Sequence, residues 1–92
     1  MTRIKAVHAR VTGRVQGVSF RAWTEAEALA RGLSGWVRNE ADGAVTAVIA
    51  GPPPDVDAML SALWDGPPAA RVSDVQTSPA DPPEAADFTI RR

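Results

Sequence analysis

The change of hydrophobic periodicity between residues 4 and 31 is the strongest constraint on what this chain can fold into. Over residues 4–12 apolar and polar side chains partly alternate, which predicts a β-strand with one buried face. Over residues 20–31 the apolar side chains recur at helical spacing, which predicts an amphipathic helix. The apolar stripe of that helix is predicted to be Ala22, Ala26, Leu29, Ala30 and Leu33. A glycine-containing segment at residues 13–21 joins the strand to the helix.

The remaining segments continue this alternation of strands and helices. In chain order they are predicted to be a hairpin at residues 35–50 with its turn at 40–43, a helix from Pro53 or Pro54, a strand at 71–77 and a strand at 88–91. The order β-α-β-β-α-β with one extra terminal strand predicts an α+β fold of the ferredoxin-like, split-βαβ class. This is a sandwich of an antiparallel sheet with two helices on one face. Because neither a repeat nor a linker divides residues 1–92, a single domain is predicted.

Composition and charge exclude several classes of protein. The chain is 45% hydrophobic and 23% charged, has no cysteine and has one histidine. Disulfides, thiol chemistry and a histidine-rich metal site are therefore excluded, and neither a metal nor a cofactor is predicted. No apolar run approaches the roughly 18 residues of a membrane span. The N-terminus lacks the apolar core of a signal peptide, so a cytoplasmic location and no membrane association are expected.

Charge is unevenly distributed along the chain. Residues 1–38 carry seven Lys or Arg and two acidic residues, whereas residues 39–92 carry three Lys or Arg and nine acidic residues. The positive half contains the glycine segment, and a local positive field attracts small anions. The sequence therefore favours an anionic ligand at or near that segment.

The glycine segment itself combines groups that suit a phosphoryl group. Gly13 and Gly17 lie four residues apart, Ser19 stands where it could cap the helix, and Arg21 falls in the first helical turn. Backbone N–H groups, a helix N-terminus and a guanidinium would converge there. Neither a Walker motif nor Gly-x-Gly-x-x-Gly is present. On spacing alone, a structural turn and an anion site fit equally well.

Two longer motifs resemble the signatures of the acylphosphatase family. Residues 11–21, Val-Thr-Gly-Arg-Val-Gln-Gly-Val-Ser-Phe-Arg, are similar to the first signature throughout. Residues 35–39, Gly-Trp-Val-Arg-Asn, followed by Gly43, Val45 and Gly51, are similar to the second. The resemblance spans nearly the whole chain. It implies a ferredoxin-like enzyme that hydrolyses small acyl phosphates to a carboxylate and inorganic phosphate without a metal, with inorganic phosphate as product and inhibitor.

The resemblance also implies which residues form the site. Arg21 and Asn39 correspond to the catalytic positions, and the phosphate-binding loop corresponds to Gly13, Arg14, Val15, Gln16, Gly17, Val18 and Ser19. A guanidinium can hold two phosphoryl oxygens at once, and an asparagine amide can orient a water for attack on phosphorus. No general acid is required, because the leaving carboxylate has a conjugate acid with a pKa of about 4–5.

Three positions depart from the common pattern of that family. Ser19 stands where glycine or an aromatic residue is often found, and its hydroxyl could cap the helix or touch phosphate. Glu40 places a carboxylate beside Asn39, near a site for anions. Arg91 and Arg92 stand at the end of the chain, where related chains often finish with an aromatic residue.

Two other functions remain to be tested. One is a non-catalytic ferredoxin-like binding module, and the other is an acylphosphatase-like domain of a larger carbamoyl-transferring enzyme. Nucleic acid is not an expected partner, because RNA-binding sheets stack bases on aromatic residues in their central strands. This chain has two Phe, neither in a central strand, and no Tyr. We expect a monomer, and turnover of an acyl phosphate separates the enzyme from the binding module.

Overall fold

The computed structural model describes residues 3–92, which form a five-stranded sheet covered by two helices. The elements in chain order are β1 (Lys5–Arg14), α1 (Phe20–Ala30), β2 (Ser34–Asn39), β3 (Val45–Gly51), α2 (Pro53–Asp65), β4 (Arg71–Pro79) and β5 (Phe88–Arg91). This order confirms the predicted succession of strands and helices. Neither α1 nor α2 is long and apolar enough to cross a membrane.

The strand order β4-β1-β3-β2-β5 gives the ferredoxin-like α+β arrangement predicted from the sequence. β1 pairs antiparallel with β3 and β4, and β2 pairs antiparallel with β3. The prediction of an antiparallel sheet is wrong for the last strand, because β5 pairs parallel with β2 and makes the sheet mixed. Residues 80–87 carry the chain from β4 at one edge of the sheet to β5 at the other, so β5 enters beside β2 in the same direction.

The buried side of the sheet faces both helices and forms the core. Val7, Ala9 and Val11 alternate toward it from β1, as the sequence predicted. The buried face of α1 differs from the prediction, because it consists of Phe20, Thr24 and Ala28 while Leu29 is 55% exposed. The hydroxyl of Thr24 is satisfied within the helix, where Oγ1 donates to the Phe20 carbonyl at 2.8 Å. A threonine can therefore replace an apolar residue in this stripe.

β1 extends two residues further than the sequence predicted. Gly13 and Arg14 continue the strand and pair with Val72 and Arg71 of β4 after a register shift between Thr12 and Gly13. A methyl group on Gly13 would overlap the Arg71 carbonyl oxygen, so this glycine permits the close approach of two strands. The turn toward α1 therefore begins after residue 14.

The direction of the strands determines where a site can form. β1 and β2 both run antiparallel to β3, and β5 runs parallel to β2. The C-terminal ends of β1, β2 and β5 therefore lie along the same edge of the sheet, the edge formed by strand ends and not by the outer strands β4 and β5. Residues 15–19 leave β1 at this edge and enter the N-terminus of α1, which packs against β2 and β5. Asn39, at the end of β2, and Arg92, directly after β5, lie at the same edge.

Candidate active site

A cavity of about 700 Å³ lies at this edge, between the N-terminus of α1 and the ends of two strands. The loop and the helix contribute Val15, Gly17, Ser19, Phe20, Arg21 and Ala22. The sheet contributes Asn39, Ile90 and Arg92. This volume falls within the range of roughly 300–1,000 Å³ that is typical of small-molecule sites. The lining contains two arginines and neither Asp nor Glu.

The structure brings together only some of the residues predicted to bind phosphate. Val15, Gly17 and Ser19 line the cavity with Arg21. Gly13 and Arg14 belong to β1, and Arg14 lines a separate cleft with Arg71. The remaining two residues of the predicted loop, Gln16 and Val18, do not line the cavity either, and Val18 is buried in the core.

The backbone of the loop is left-handed at two positions. Gly17 has φ = 73° and Ser19 has φ = 64°. For Gly17 no atom lies within 4 Å of where a Cβ would stand, so the glycine is needed for its dihedral angle rather than for space. For Ser19 the left-handed region costs about 1–2 kcal/mol relative to glycine. An outlier of this kind at the mouth of a cavity suggests a functional constraint on the loop.

Ser19 does not cap α1 in the way the sequence predicted. Its side chain makes no capping hydrogen bond, although its carbonyl accepts from the backbone N–H of Trp23 at 3.0 Å. The first turn of α1 also contains no acidic residue. Helix N–H groups that lack a side-chain cap point toward whatever occupies the cavity, and the positive end of the helix dipole favours an anion there.

The side chain of Gln16 connects this loop to the hairpin formed by β2 and β3. Its Nε2 donates to the carbonyl oxygens of Glu40 at 2.7 Å and of Ala44 at 2.9 Å. Glu40 and Ala44 close the turn of the hairpin, where the Glu40 N–H donates to the Ala44 carbonyl at 2.8 Å. The Gln16 amide is thus occupied by the hairpin and fixes the loop relative to Asn39.

The carboxylate of Glu40 is held away from the cavity. Its Oε2 accepts from Thr46 Oγ1 and from Arg38 Nε, each at 2.7 Å. Arg38 and Thr46 are cross-strand partners on the face of the sheet opposite Val37 and the helices. The Thr46 hydroxyl first, and then Arg38, hold the pKa of the Glu40 carboxyl below its usual value. The negative charge beside Asn39 is therefore compensated on the other side of the sheet.

Asn39 lines the cavity and carries an unpaired acceptor. Its Oδ1 is buried, and no donor among residues 3–92 reaches it. Leaving a buried polar atom unpaired costs about 1–3 kcal/mol, so such atoms are rare and need an explanation. A small donor that enters the cavity beside this amide can supply the missing hydrogen bond.

The sequence analysis missed four lining residues: Phe20 and Ala22, which flank Arg21, and Ile90 and Arg92 near the end of the chain. Ile90 and Arg92 lie two positions apart, so a strand places both on the face that carries the buried Phe88. The alternation at residues 88–92 contains this signal. It cannot be used without knowing that β5 lies beside β2, because the pairing partner decides which cavity the strand reaches.

The chain is similar to known proteins along nearly its whole length. A family model described as Acylphosphatase matches residues 7–90. An acylphosphatase from Rhizobium meliloti (strain 1021) is 56% identical over 89 residues, which cover 96% of this chain and 94% of that relative. The crystal structure of an acylphosphatase from Bacillus subtilis is 33% identical with a TM-score of 0.90, covering 98% of this chain and all of that one. An acylphosphatase structure from Coxiella burnetii is 35% identical with a TM-score of 0.91, covering 96% of this chain and 93% of that one.

Proposed function

The chain belongs to the acylphosphatase family, hydrolases that act on acyl phosphates, and from this premise we propose how its cavity carries out the reaction. Arg21 and the backbone N–H groups of the loop hold the phosphoryl group, and Asn39 orients the attacking water. The observation that carries this proposal is that Arg21 and Asn39 line one cavity at the start of α1, and that the Asn39 amide oxygen has no hydrogen-bond donor within residues 3–92.

Binding of the phosphoryl group rests on Arg21 and the loop. The Arg21 guanidinium makes no ion pair or side-chain hydrogen bond within residues 3–92, so no acidic side chain competes with the ligand. A guanidinium can bind two phosphoryl oxygens in parallel. N–H groups near Gly17 and Ser19 and those of the first helical turn can hold the same oxygens. An anion between Arg21 and the helix N-terminus also removes the repulsion between that cation and the helix dipole.

Hydrolysis then requires one oriented water. The Asn39 Oδ1 accepts a hydrogen bond from the water and aims its oxygen at phosphorus. The water oxygen forms the new bond, the bond from phosphorus to the acyl oxygen breaks, and its electron pair leaves with the carboxylate. The water proton passes to the phosphate or to solvent. Because the transition state of phosphoryl transfer is loose, positioning and electrostatics supply most of the catalysis.

Gln16 acts in this proposal as a positioning residue. We expect Gln16→Ala to lower kcat about tenfold and to change phosphate affinity less than threefold, because the loop and Asn39 lose their link while the phosphoryl contacts remain. The loss in stability should be about 1 kcal/mol, since the Glu40 and Ala44 carbonyls keep their backbone partners. Gln76→Ala, at an exposed position on β4, is the matched control. A large loss of phosphate affinity at unchanged kcat would instead place Gln16 on the substrate.

The direct test of the function is hydrolysis of benzoyl phosphate, with and without a chelator and with added inorganic phosphate. We expect turnover that a chelator leaves intact and that phosphate inhibits competitively. Loss of activity on chelation would contradict the metal-free reaction. Phosphate binding without turnover would favour the non-catalytic binding module.

The rate should be nearly independent of pH between about 5 and 8. Arginine stays charged and asparagine does not ionise in this range. The hairpin carboxyls Glu40 and Asp42 have lowered pKa values, through Thr46 and Arg10 respectively, so their contribution to stability is complete above their unfolded values of 4.5 and 3.8. That contribution is lost only as the pH falls through the lowered values. A bell-shaped profile centred near neutrality would contradict this mechanism.

We also propose the setting in which the enzyme works. The substrate is a small acyl phosphate, the product inhibits, and the chain acts as a monomeric single domain in the cytoplasm without nucleic acid. The expectation of a monomer is checked by light scattering of the purified chain. Tryptophan fluorescence during titration with single-stranded RNA checks the absence of nucleic-acid binding.

A further inference from the structure

Arg92 lines the catalytic cavity although no step of the proposed reaction uses it. The parallel register between β2 and β5 pairs Val37 with Ile90 and Arg38 with Arg91. Arg92 follows directly after β5, at the position that one further step of this register would place opposite Asn39. Arg92 and Asn39 line the same cavity.

The neighbouring Arg91 shows how differently two adjacent arginines are used. Its guanidinium carbon lies 4.9 Å from the centre of the Trp36 ring, on the face of the sheet opposite the helices. Trp36 also holds the guanidinium of Arg38 at 5.0 Å. Arg92, by contrast, makes no ion pair with a carboxylate in the described chain. One arginine of the pair is therefore engaged by an aromatic ring, and the other lines a cavity that has no acidic side chain in its lining.

We propose that Arg92 is a second guanidinium of the phosphoryl site, which binds the phosphoryl group together with Arg21. This inference rests on the proposed function. A phosphoryl group has three non-bridging oxygens, and a bidentate contact from Arg21 accounts for two of them. Arg21 reaches the cavity from α1 and Arg92 reaches it from β5, so the two cations approach the group from different elements.

The position beside Asn39 favours the phosphoryl group over the acyl chain as the partner of Arg92. In an in-line displacement the water and the leaving group lie on opposite sides of phosphorus. Because Asn39 orients the water, the acyl group departs on the side away from Asn39. A cation next to Asn39 thus meets phosphoryl oxygens, which are present in substrate and product alike. Its contribution is uniform binding, which acts on KM rather than on kcat.

The test compares Arg92→Gln with Arg91→Gln in the full chain. Each variant removes one positive charge, Arg91 being the last residue of β5 and Arg92 the next residue, and of the two only Arg92 lines the cavity. Isothermal titration with inorganic phosphate should show a Kd about three- to tenfold weaker for Arg92→Gln and less than twofold weaker for Arg91→Gln. The KM for benzoyl phosphate should rise by the same factor as the Kd, and Arg92→Lys should give an intermediate value.

Several outcomes would overturn this assignment. Equal effects of the two variants would mean that only bulk charge matters. A fall in kcat at unchanged phosphate affinity would place Arg92 on the water, and an effect confined to substrates with a charged acyl group would place it on the acyl chain. Failure of the underlying function is distinguishable, because Arg21→Gln would then also leave the phosphate Kd unchanged.

Discussion

Replacing Arg21 with Gln is expected to lower kcat/KM by about 10³-fold and to remove most of the phosphate affinity. The guanidinium is the one group of the first helical turn that can hold two phosphoryl oxygens and carries a permanent charge. Glutamine keeps a donor but has neither the charge nor the second parallel contact. Steady-state hydrolysis of benzoyl phosphate and titration with inorganic phosphate measure the two losses.

The same substitution should not destabilise the fold. Arg21 is half-buried and makes no ion pair within residues 3–92, and its charge opposes the dipole of α1. We therefore expect the free energy of unfolding to stay constant or to rise by about 0.3–1 kcal/mol. Urea denaturation of both proteins checks this. A variant that keeps its phosphate affinity contradicts the assigned role of Arg21, whatever its stability.

Arg31→Gln is the matched control at the other end of the helix. Arg31 pairs with Glu27 one turn earlier, close to the C-terminus of α1, where a cation interacts favourably with the dipole. We expect this variant to keep its activity within about twofold and to lose about 0.5 kcal/mol of stability. Arg21→Gln should thus lose function and keep its stability, whereas Arg31→Gln should keep its function and lose some stability.

The parts of the site that depend only on neighbouring residues could be predicted from the sequence, because local patterns determine them. The change from strand to helix periodicity placed a turn before Arg21, and the structure has α1 beginning at Phe20. Asn39 ends β2 as the hairpin pattern indicated. Both catalytic candidates then line one cavity. The length of β1 was underestimated, because pairing with β4 holds Gly13 and Arg14 in the strand beyond the alternating pattern.

The rest of the site depends on contacts between distant residues and could not be predicted. Gln16 looks like any loop residue until its amide meets two carbonyls of a hairpin that begins 18 residues later. The left-handed conformation of Ser19 is imposed by the turn into α1 against the residue's own preference. The place of Arg92 follows from the parallel pairing of β5, which no local pattern encodes.

In the proposed mechanism, these long-range contacts decide whether a bound phosphoryl group is hydrolysed. Arg21 and the loop belong to one continuous segment, so that segment can bind phosphate without help from the hairpin. Asn39 belongs to the hairpin, which the Gln16 amide links to the loop. Affinity should therefore depend on the first segment, together with Arg92, and kcat should depend on the second segment and on the link between the two segments.

Replacing Asn39 with Ala is the decisive test of that division. We expect kcat to fall about 10²–10³-fold, because the water loses its orienting amide, while phosphate affinity changes less than about twofold. The structural cost should be small, since the buried Oδ1 has no partner within residues 3–92 to lose. Removing an unpaired buried acceptor can raise the free energy of unfolding by about 1 kcal/mol.

Asn39→Asp tests whether the neutral amide is required or whether any side chain of the same size and shape suffices. Aspartate keeps the size of the side chain and an acceptor oxygen, but its negative charge repels the phosphoryl group that Arg21 and the loop hold. We expect this variant to lose phosphate affinity as well as kcat, with the loss of affinity reduced at high salt. If Asn39→Ala keeps full activity, the water-orienting role is wrong. If it loses phosphate affinity as strongly as Arg21→Gln, Asn39 binds the phosphoryl group, and the separation of binding from hydrolysis between the two segments does not hold.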